Sequence, residues 1–456
     1  MLLSSGEAAI ACLVPRFRCL SRSQGRPTSA SGPAEPTESN AGADAGASRP
    51  KFPWLADLNH RQLEAVTQCS GPLLVVAGAG SGKTRTLAYR VAYLIATGTD
   101  PSKILLLTFT RRAAEEMLRR AYEIMGRGGS SDGHVWGGTF HATANRLLRI
   151  YGRAIGLDPE FTVMDRSDAE DMLDLIRHEL GLDSRDRRFP RKQTCMDIYS
   201  RCVNACEQLG DVVKRHFPWC TDCADDLKLL FRRCVERKQE HNVLDYDDLL
   251  LYWAHLVSDE AISREMGYRF DQILVDEYQD TNRIQSQILR GMRRYNKNIM
   301  AVGDDAQSIY SFRAATVHNI LDFPKHFPGA RVLTLEQNYR SVMPILEATN
   351  LVIAQAKERY AKNLWSTRKG GSRPKLVTCE DEGDQDEFVV RRVLEHYEEG
   401  IPLRRQAVLF RAAHLSDSLE VELARRNIGY HKVDLPKKHH TQAARRSAFD
   451  LCASFG

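Results

Sequence analysis

Apolar residues in this chain come in short apolar-rich runs rather than in strict alternation with polar ones. Such runs stand at 72–77, 104–110, 135–140, 271–275, 298–302 and 332–335, and several of them empty into glycine, acidic or small polar residues. A run of this length bounded by turn residues predicts a strand buried on both faces. Between the runs, 58–66 carries apolar residues at helical spacing, and 86–95 and the charged stretch from Arg111 to Met117 read as further helices. Strand alternating with helix implies an α/β fold: a parallel sheet covered on both faces, with ligands at the carboxyl ends of its strands. From 142 to 241 the texture turns charged and helical with no buried strand, which marks an inserted helical subdomain because sheet-forming sequence resumes afterwards. Farther on, 386–390 reads as a helix and 407–411 as the strand that follows it.

The first run delivers Ala77-Gly78-Ala79-Gly80-Ser81-Gly82-Lys83-Thr84-Arg85. A strand, a glycine-dense turn and then a helix is the arrangement of a phosphate-binding loop, whose amides point inward at an anion and whose glycines let the backbone wrap it. Lys83 would place its ammonium near the β and γ phosphates, and the Thr84 hydroxyl would ligate Mg²⁺. Ala77 stands where the strict pattern has a glycine. Such chemistry needs an acidic partner, and the run ending at Val275 supplies Asp276 and Glu277. Asp276 would hold Mg²⁺ through its water shell, and Glu277 would orient and polarise the water that attacks the γ-phosphate. Gln307, beyond the run at 298–302, can bond both that water and the γ-phosphate, and Arg340, beyond 332–335, can act as an arginine finger. Ahead of the loop, Gln62 has the paired donor and acceptor that suit an adenine edge. Tyr310 and Phe312 offer flat faces to unstacked bases, against a plainer reading as core aromatics.

These blocks, in this order, resemble the UvrD/PcrA/Rep family of superfamily 1 DNA helicases from about Trp54 to Val433. The resemblance implies two RecA-like lobes of P-loop NTPase type, ATP and Mg²⁺ as cofactors, and single-stranded and tailed duplex DNA as partners. Residue by residue, it gives Lys83, Thr84, Asp276, Glu277 and Gln307 the roles above, Gln62 the adenine-reading role and Arg340 the finger role. Arg85 and Tyr339 match the pair that sandwiches adenine. Phe109, Thr110, His141, Tyr310 and Phe312 fall where the family meets single-stranded DNA, Phe312 replacing the more usual tryptophan. The expected organisation is an N-terminal extension at 1–50, a first lobe at 51–141 plus 242–330, its helical insertion at 142–241, a partial second lobe at 331–433 and a basic tail at 434–456. Motifs V and VI are expected to be missing, so the expectation of a 3′ to 5′ helicase or translocase stands beside that of an ATP- and DNA-binding module without productive unwinding. An RNA-directed motor is a weaker third reading.

Composition narrows these readings. A chain of 456 residues with 43% hydrophobic and 27% charged positions is globular and too long for one core. No apolar run approaches the ~20 residues that span a bilayer, which excludes a spanning role. A net charge of +5 says little about a polyanionic partner unless the basic residues cluster. The 11 cysteines lack the spacing of a disulfide framework. Cys202, Cys206, Cys220 and Cys223 have spacing a zinc site could use, but Cys195, Cys202 and Cys206 share one helical face, and core packing is the stronger reading. The first 50 residues, rich in Ser, Ala, Gly and Pro, carry Arg16, Arg18, Arg22 and Arg26 with almost no acid before Glu35. This pattern fits an organelle transit peptide and a merely disordered extension equally well, and the location expected is an organelle or the nucleus.

Overall fold

The computed structural model describes residues 52–126, 134–183, 188–309 and 314–432. The chain divides into two units, Met1–Ser372 and Arg373–Gly456. In the first, every apolar run of the sequence becomes a strand: β1 (Pro72–Ala77), β2 (Ile104–Leu107), β3 (Trp136–Gly138), β6 (Gln272–Val275), β7 (Ile299–Gly303) and β8 (Arg331–Leu335). They form one six-stranded sheet in the order β3-β2-β6-β7-β1-β8, and all of its pairings are parallel. Two apolar clusters follow from the alternation of side chains along the strands. Leu73, Val75, Leu106, Leu274 and Met300 pack with the helices Lys83–Ala96 and Arg111–Ile124. Leu74, Leu105, Ile273 and Ala301 face the other way, toward a core that runs on into the insertion.

Parallel strands place all their carboxyl ends on one edge, and β7 lies between β6 and β1. The loop after β1, the acidic pair after β6 and the Gly303-Asp304 turn after β7 are therefore neighbours although they are far apart in sequence. That adjacency is what brings the chemistry together.

The insertion is helical as expected, with helices Arg166–Glu179, Lys192–Ala205, Leu209–His216 and Ala224–Glu240, but it is not free of strand. A two-residue strand β4 (Thr162–Val163) pairs in parallel with β5 (Val243–Leu244), stitching the two ends of the insertion together. Cys195, Cys202, Cys220, Cys223 and Cys234 are buried in its apolar core, and burial pushes the Cys195 and Cys202 thiols up to about 12. At its base, Lys238 is buried between Asp245 (2.9 Å) and Asp248 (2.7 Å), with the Tyr199 hydroxyl against both the lysine and Asp248.

One expected boundary and one expected strand are corrected. The first sheet does not end at 330: β8 pairs with β1 from Leu73↔Arg331 to Ala77↔Leu335, because an open edge beside β1 offers a full ladder to the next apolar run. The second unit, taken by itself, packs the helices Glu382–Glu398 and Asp417–Arg425 around Val390, Leu419, Leu423 and Ile428. Residues 407–411 form no strand, and Leu409 is exposed. A strand needs a partner ladder, and the described residues of this unit include none.

Because Leu274 is fully buried in the central strand β6, Leu274→Ala is expected to destabilise the protein by about 2–5 kcal/mol. Urea denaturation of both proteins measures it, and a change within experimental scatter would count against this placement of the core.

Candidate nucleotide-binding site

The loop after β1 uses its glycines where the geometry demands them. Gly80 and Gly82 adopt φ of +79° and +87°. A Cβ on Gly80 would meet Arg340 Cβ and Asn338 Nδ2 at 2.8 Å. Gly82 starts the helix Lys83–Ala96 without any side-chain cap. An uncapped helix start with its dipole directed at the turn is a ready anion site.

A cleft of about 370 Å³ opens here, lined by Ala79, Gly80, Gly82, Lys83, Thr84, Arg85, Arg120, Glu277, Gln307, Tyr339 and Arg340. Lys83 Nζ donates to Glu277 Oε2 at 2.9 Å across it. A second hollow of about 500 Å³ shares Thr84, Glu277 and Gln307 with the first and adds Asp276, Phe109, Thr110 and Ile309. The phosphate end of the cleft is thus continuous with a surface that carries the half-exposed ring of Phe109.

Asp276 is buried, and its Oδ1 has no hydrogen-bond partner. Burial, reinforced by the neighbouring Glu277 carboxylate, pushes its carboxyl up to about 7. A buried, unpartnered carboxylate oxygen in a hollow that Thr84 also lines suits a hard divalent cation, so the residues present fit Mg²⁺. Glu277 itself is held at φ +48°, a conformation that costs a β-carbon-bearing residue about 1–2 kcal/mol. Backbone strain of this kind collects where a side chain must be aimed.

Four strand ends converge on this cleft. Gln279 Nε2 donates to Glu277 Oε2 at 2.8 Å, and its Oε1 accepts from the Asp304 amide at 2.9 Å. Gln307 Nε2 donates to Asp304 Oδ2. From the end of β8, Asn338 Nδ2 donates to Ala79 O while the Tyr339 amide donates to Gly80 O at 2.9 Å. The same Asn338 accepts the amides of Arg340 and Ser341 at 2.8 and 2.7 Å, so one buried side chain clamps the Arg340 loop onto the phosphate loop.

Sequence reasoning and structure part company at several residues. Gln62 does not line the cleft: its Oε1 accepts from the Asn59 amide at 3.2 Å in a capping box, and its Nε2 donates to Ser81 O at 3.0 Å. The nitrogen end thus braces the phosphate loop and the oxygen end the start of the preceding helix, each through a single bond. Ala77, Gly78 and Ser81 are buried behind the cleft rather than lining it. Ala77 is the last residue of β1 and fills the core, which is why a methyl is accommodated there. Arg340 reaches the cleft from the edge of the same sheet, not from a neighbouring lobe. Arg85 and Tyr339 do share the cleft; Arg85 is exposed and bonds Asp57 O at 3.0 Å, while the Tyr339 hydroxyl meets Asn59 Nδ2 at 2.8 Å. His141 sits off the hollow, edge-on to Tyr246 with ring centroids 5.9 Å apart. Tyr310 and Phe312 lie outside the described residues. Sequence reasoning missed Gln279, Asn338 and Arg120; for the first two the only local signal was a polar side chain inside an otherwise chemical block.

With this geometry in place, comparison with known proteins is decisive. The UvrD/REP helicase N-terminal domain matches residues 58–328, and the UvrD-like helicase C-terminal domain matches 333–443. The chain belongs to the UvrD/REP helicase family. The second match runs ten residues past the point where the resemblance was expected to stop. The ATP-dependent DNA helicase PcrA of Staphylococcus epidermidis is 35% identical over 380 residues, covering 82% of this chain and 51% of that protein. PcrA of Staphylococcus aureus is likewise 35% identical over 381 residues, covering 82% of this chain and 50% of its own length. The chain thus spans about half the length of these relatives.

The raised Asp276 carboxyl makes a prediction with a definite sign. It binds its proton more tightly folded than unfolded, so the metal-free protein is penalised above pH 7 and loses that penalty as pH falls toward about 4. Asp276→Asn is therefore expected to stabilise the magnesium-free protein at pH 8 by up to about 4 kcal/mol. The gap should close toward about pH 4. Urea denaturation in a chelator at several pH values measures this, and a gap that widened in acid would contradict it.

Proposed function

We propose that this chain carries the ATPase centre of a DNA-dependent motor, a helicase or translocase that moves 3′ to 5′ along single-stranded DNA and opens tailed duplexes during repair or recombination. The observation that supports this best is the pairing of Lys83 with Glu277 across a single cleft, beside the unpartnered Asp276 oxygen and the Thr84 hydroxyl. Lys83 and the amides at the start of its helix would hold the β and γ phosphates, displacing the lysine from Glu277. Glu277, freed from that ion pair, would orient the attacking water and take its proton. Gln307 would bond the same water, and Arg340 would face charge developing on the γ-phosphate. Thr84 and Asp276 would hold Mg²⁺, which when bound offsets phosphate charge. Arg85 and Tyr339 would flank the base.

On the DNA side, the hollow that shares Thr84, Glu277 and Gln307 with the cleft also holds Phe109 and Thr110. A base stacked on Phe109 would be worth roughly 1–3 kcal/mol. Its neighbourhood gives the DNA a short physical route to the water-positioning groups. The same proposal places the protein in the nucleus or an organelle.

Phosphate release from Mg-ATP by the full-length protein is expected to rise with single-stranded DNA. Lys83→Ala should lower it roughly 10²–10³-fold by analogy with removal of one transition-state donor. Glu277→Gln should lower turnover comparably while leaving ATP binding largely intact. Release in wild type no greater than in Lys83→Ala would overturn the proposal. Stimulated hydrolysis with no strand separation on a tailed duplex would favour a nucleotide- and DNA-binding module without productive unwinding.

A further inference from the structure

We infer that Lys362 is a positioning residue for ATP turnover, acting through Asp304 to hold Gln307 at the phosphate end of the cleft. This rests on the ATPase reading above and deepens it. The Lys362 ammonium is buried, and it bonds Asp304 Oδ1 and Asp305 Oδ1 together. Asp304 cannot then turn: one oxygen is held by the lysine, and the other accepts Gln307 Nε2. With its nitrogen engaged, Gln307 has its amide oxygen left to accept a hydrogen bond from a water. The chain of contacts continues, because the Asp304 amide donates to Gln279 and Gln279 donates to Glu277, the partner of Lys83. A cation far along the sequence thus fixes both polar groups that would address the attacking water.

The segment that bears Lys362 is tied to the cleft at other points. The Tyr360 amide donates to Asp305 Oδ2 at 3.0 Å, and its hydroxyl donates to Ile320 O at 3.1 Å. Leu364 lies so close over Gly78 that a Cβ there would stand 2.5 Å from it. Trp365 exchanges backbone bonds with Glu336 and Asn338, flanking the loop that carries Arg340. Any shift of 360–365 would therefore be felt at Gln307, at the phosphate loop and at Arg340 together. A lysine serving only to neutralise buried acids would need none of this alignment with Gln307.

Lys362→Ala alone would strand two buried carboxylates and risk the fold. The informative protein is Lys362→Met with Asp305→Asn, which removes one cation and one anion together and leaves Asp304 without its lysine. In the full-length protein with single-stranded DNA, kcat is expected to fall about tenfold to a hundredfold with KM for ATP within about threefold, the pattern of a contact realised in the transition state. Lys362→Arg should recover part of the loss. A second measurement is independent of turnover: the gain in affinity when fluoroaluminate is added to MgADP should be present in wild type and largely absent in the double variant, with MgADP affinity itself unchanged. A double variant that unfolds like wild type, turns over within twofold of it and keeps the whole fluoroaluminate gain would overturn the inference. A wild type that hydrolyses no ATP and shows no gain would instead bring down the ATPase reading, and the inference with it.

Discussion

The ion pair between Lys83 and Glu277 is the constraint to which the rest of the first unit answers. Two groups separated by 194 positions meet at 2.9 Å only if β1 and β6 run parallel with a single strand between them. The pair is also incomplete as a resting state. Lys83 is mostly buried and Glu277 about a third exposed, so the attraction is partly screened and contributes modestly to stability. Its value lies in readiness: an anion that brings more negative charge than one carboxylate draws the lysine away and leaves Glu277 next to the arriving phosphates. Glu277 is already aimed, because its left-handed backbone is imposed by the turn Tyr278–Asp280 that follows. Asp276, one residue earlier, is buried with its Oδ1 unpartnered and carries a raised carboxyl. A site that spends stability on a strained backbone and a buried acid in the absence of ligand is built to be completed by one.

The insertion is fastened to this edge by polar contacts as well as by its core. Asn282, which caps the helix Arg283–Met292 just past the acidic pair, donates to Asn204 at 2.7 Å, and Asn204 donates to Asp247 at 2.7 Å. Asp247 adjoins the buried Lys238, Asp245 and Asp248 group. Removing one member of such a group leaves a charge in an apolar setting at a cost of about 3–5 kcal/mol. The junction therefore ties the insertion to the helix that follows the acidic pair through paired polar groups as well as apolar packing.

The sequence made the strands, the phosphate loop and the acidic pair legible because each is written locally. An apolar run followed by Gly78 to Thr84, or by Asp276 and Glu277, states both the element and the chemistry at its end. What stayed illegible depends on long-range pairing. β8 joins β1 because that edge was open, and nothing within 331–335 says whether it would prefer a sheet of its own. Gln62 was read for adenine by its functional group, and its contacts with Asn59 and the Ser81 carbonyl add a bracing role that this reading did not include. A glutamine three residues after an asparagine was itself a capping signal. Lys362 was unreadable for a plainer reason: its partners lie 57 and 58 positions away, and a single lysine in a polar stretch has no pattern.

These long-range contacts share a direction. Gln62 braces the phosphate loop from behind at Ser81, Asn338 clamps it from above at Ala79, and Lys362 sets the acids after β7 from the side. None of the three faces the cleft, and each fixes the position of a group that does. A phosphate loop closed by glycines is intrinsically loose, since glycine loses more backbone freedom on ordering than any other residue. Rigidity has to be supplied by neighbours with side chains. The glycines needed for close approach to an anion thus create the requirement for a surrounding layer of buried polar residues, drawn here from Gln62, Asp304, Asp305, Asn338 and Lys362. That layer is where substitutions far from the cleft in sequence would alter turnover without altering which ligand is bound.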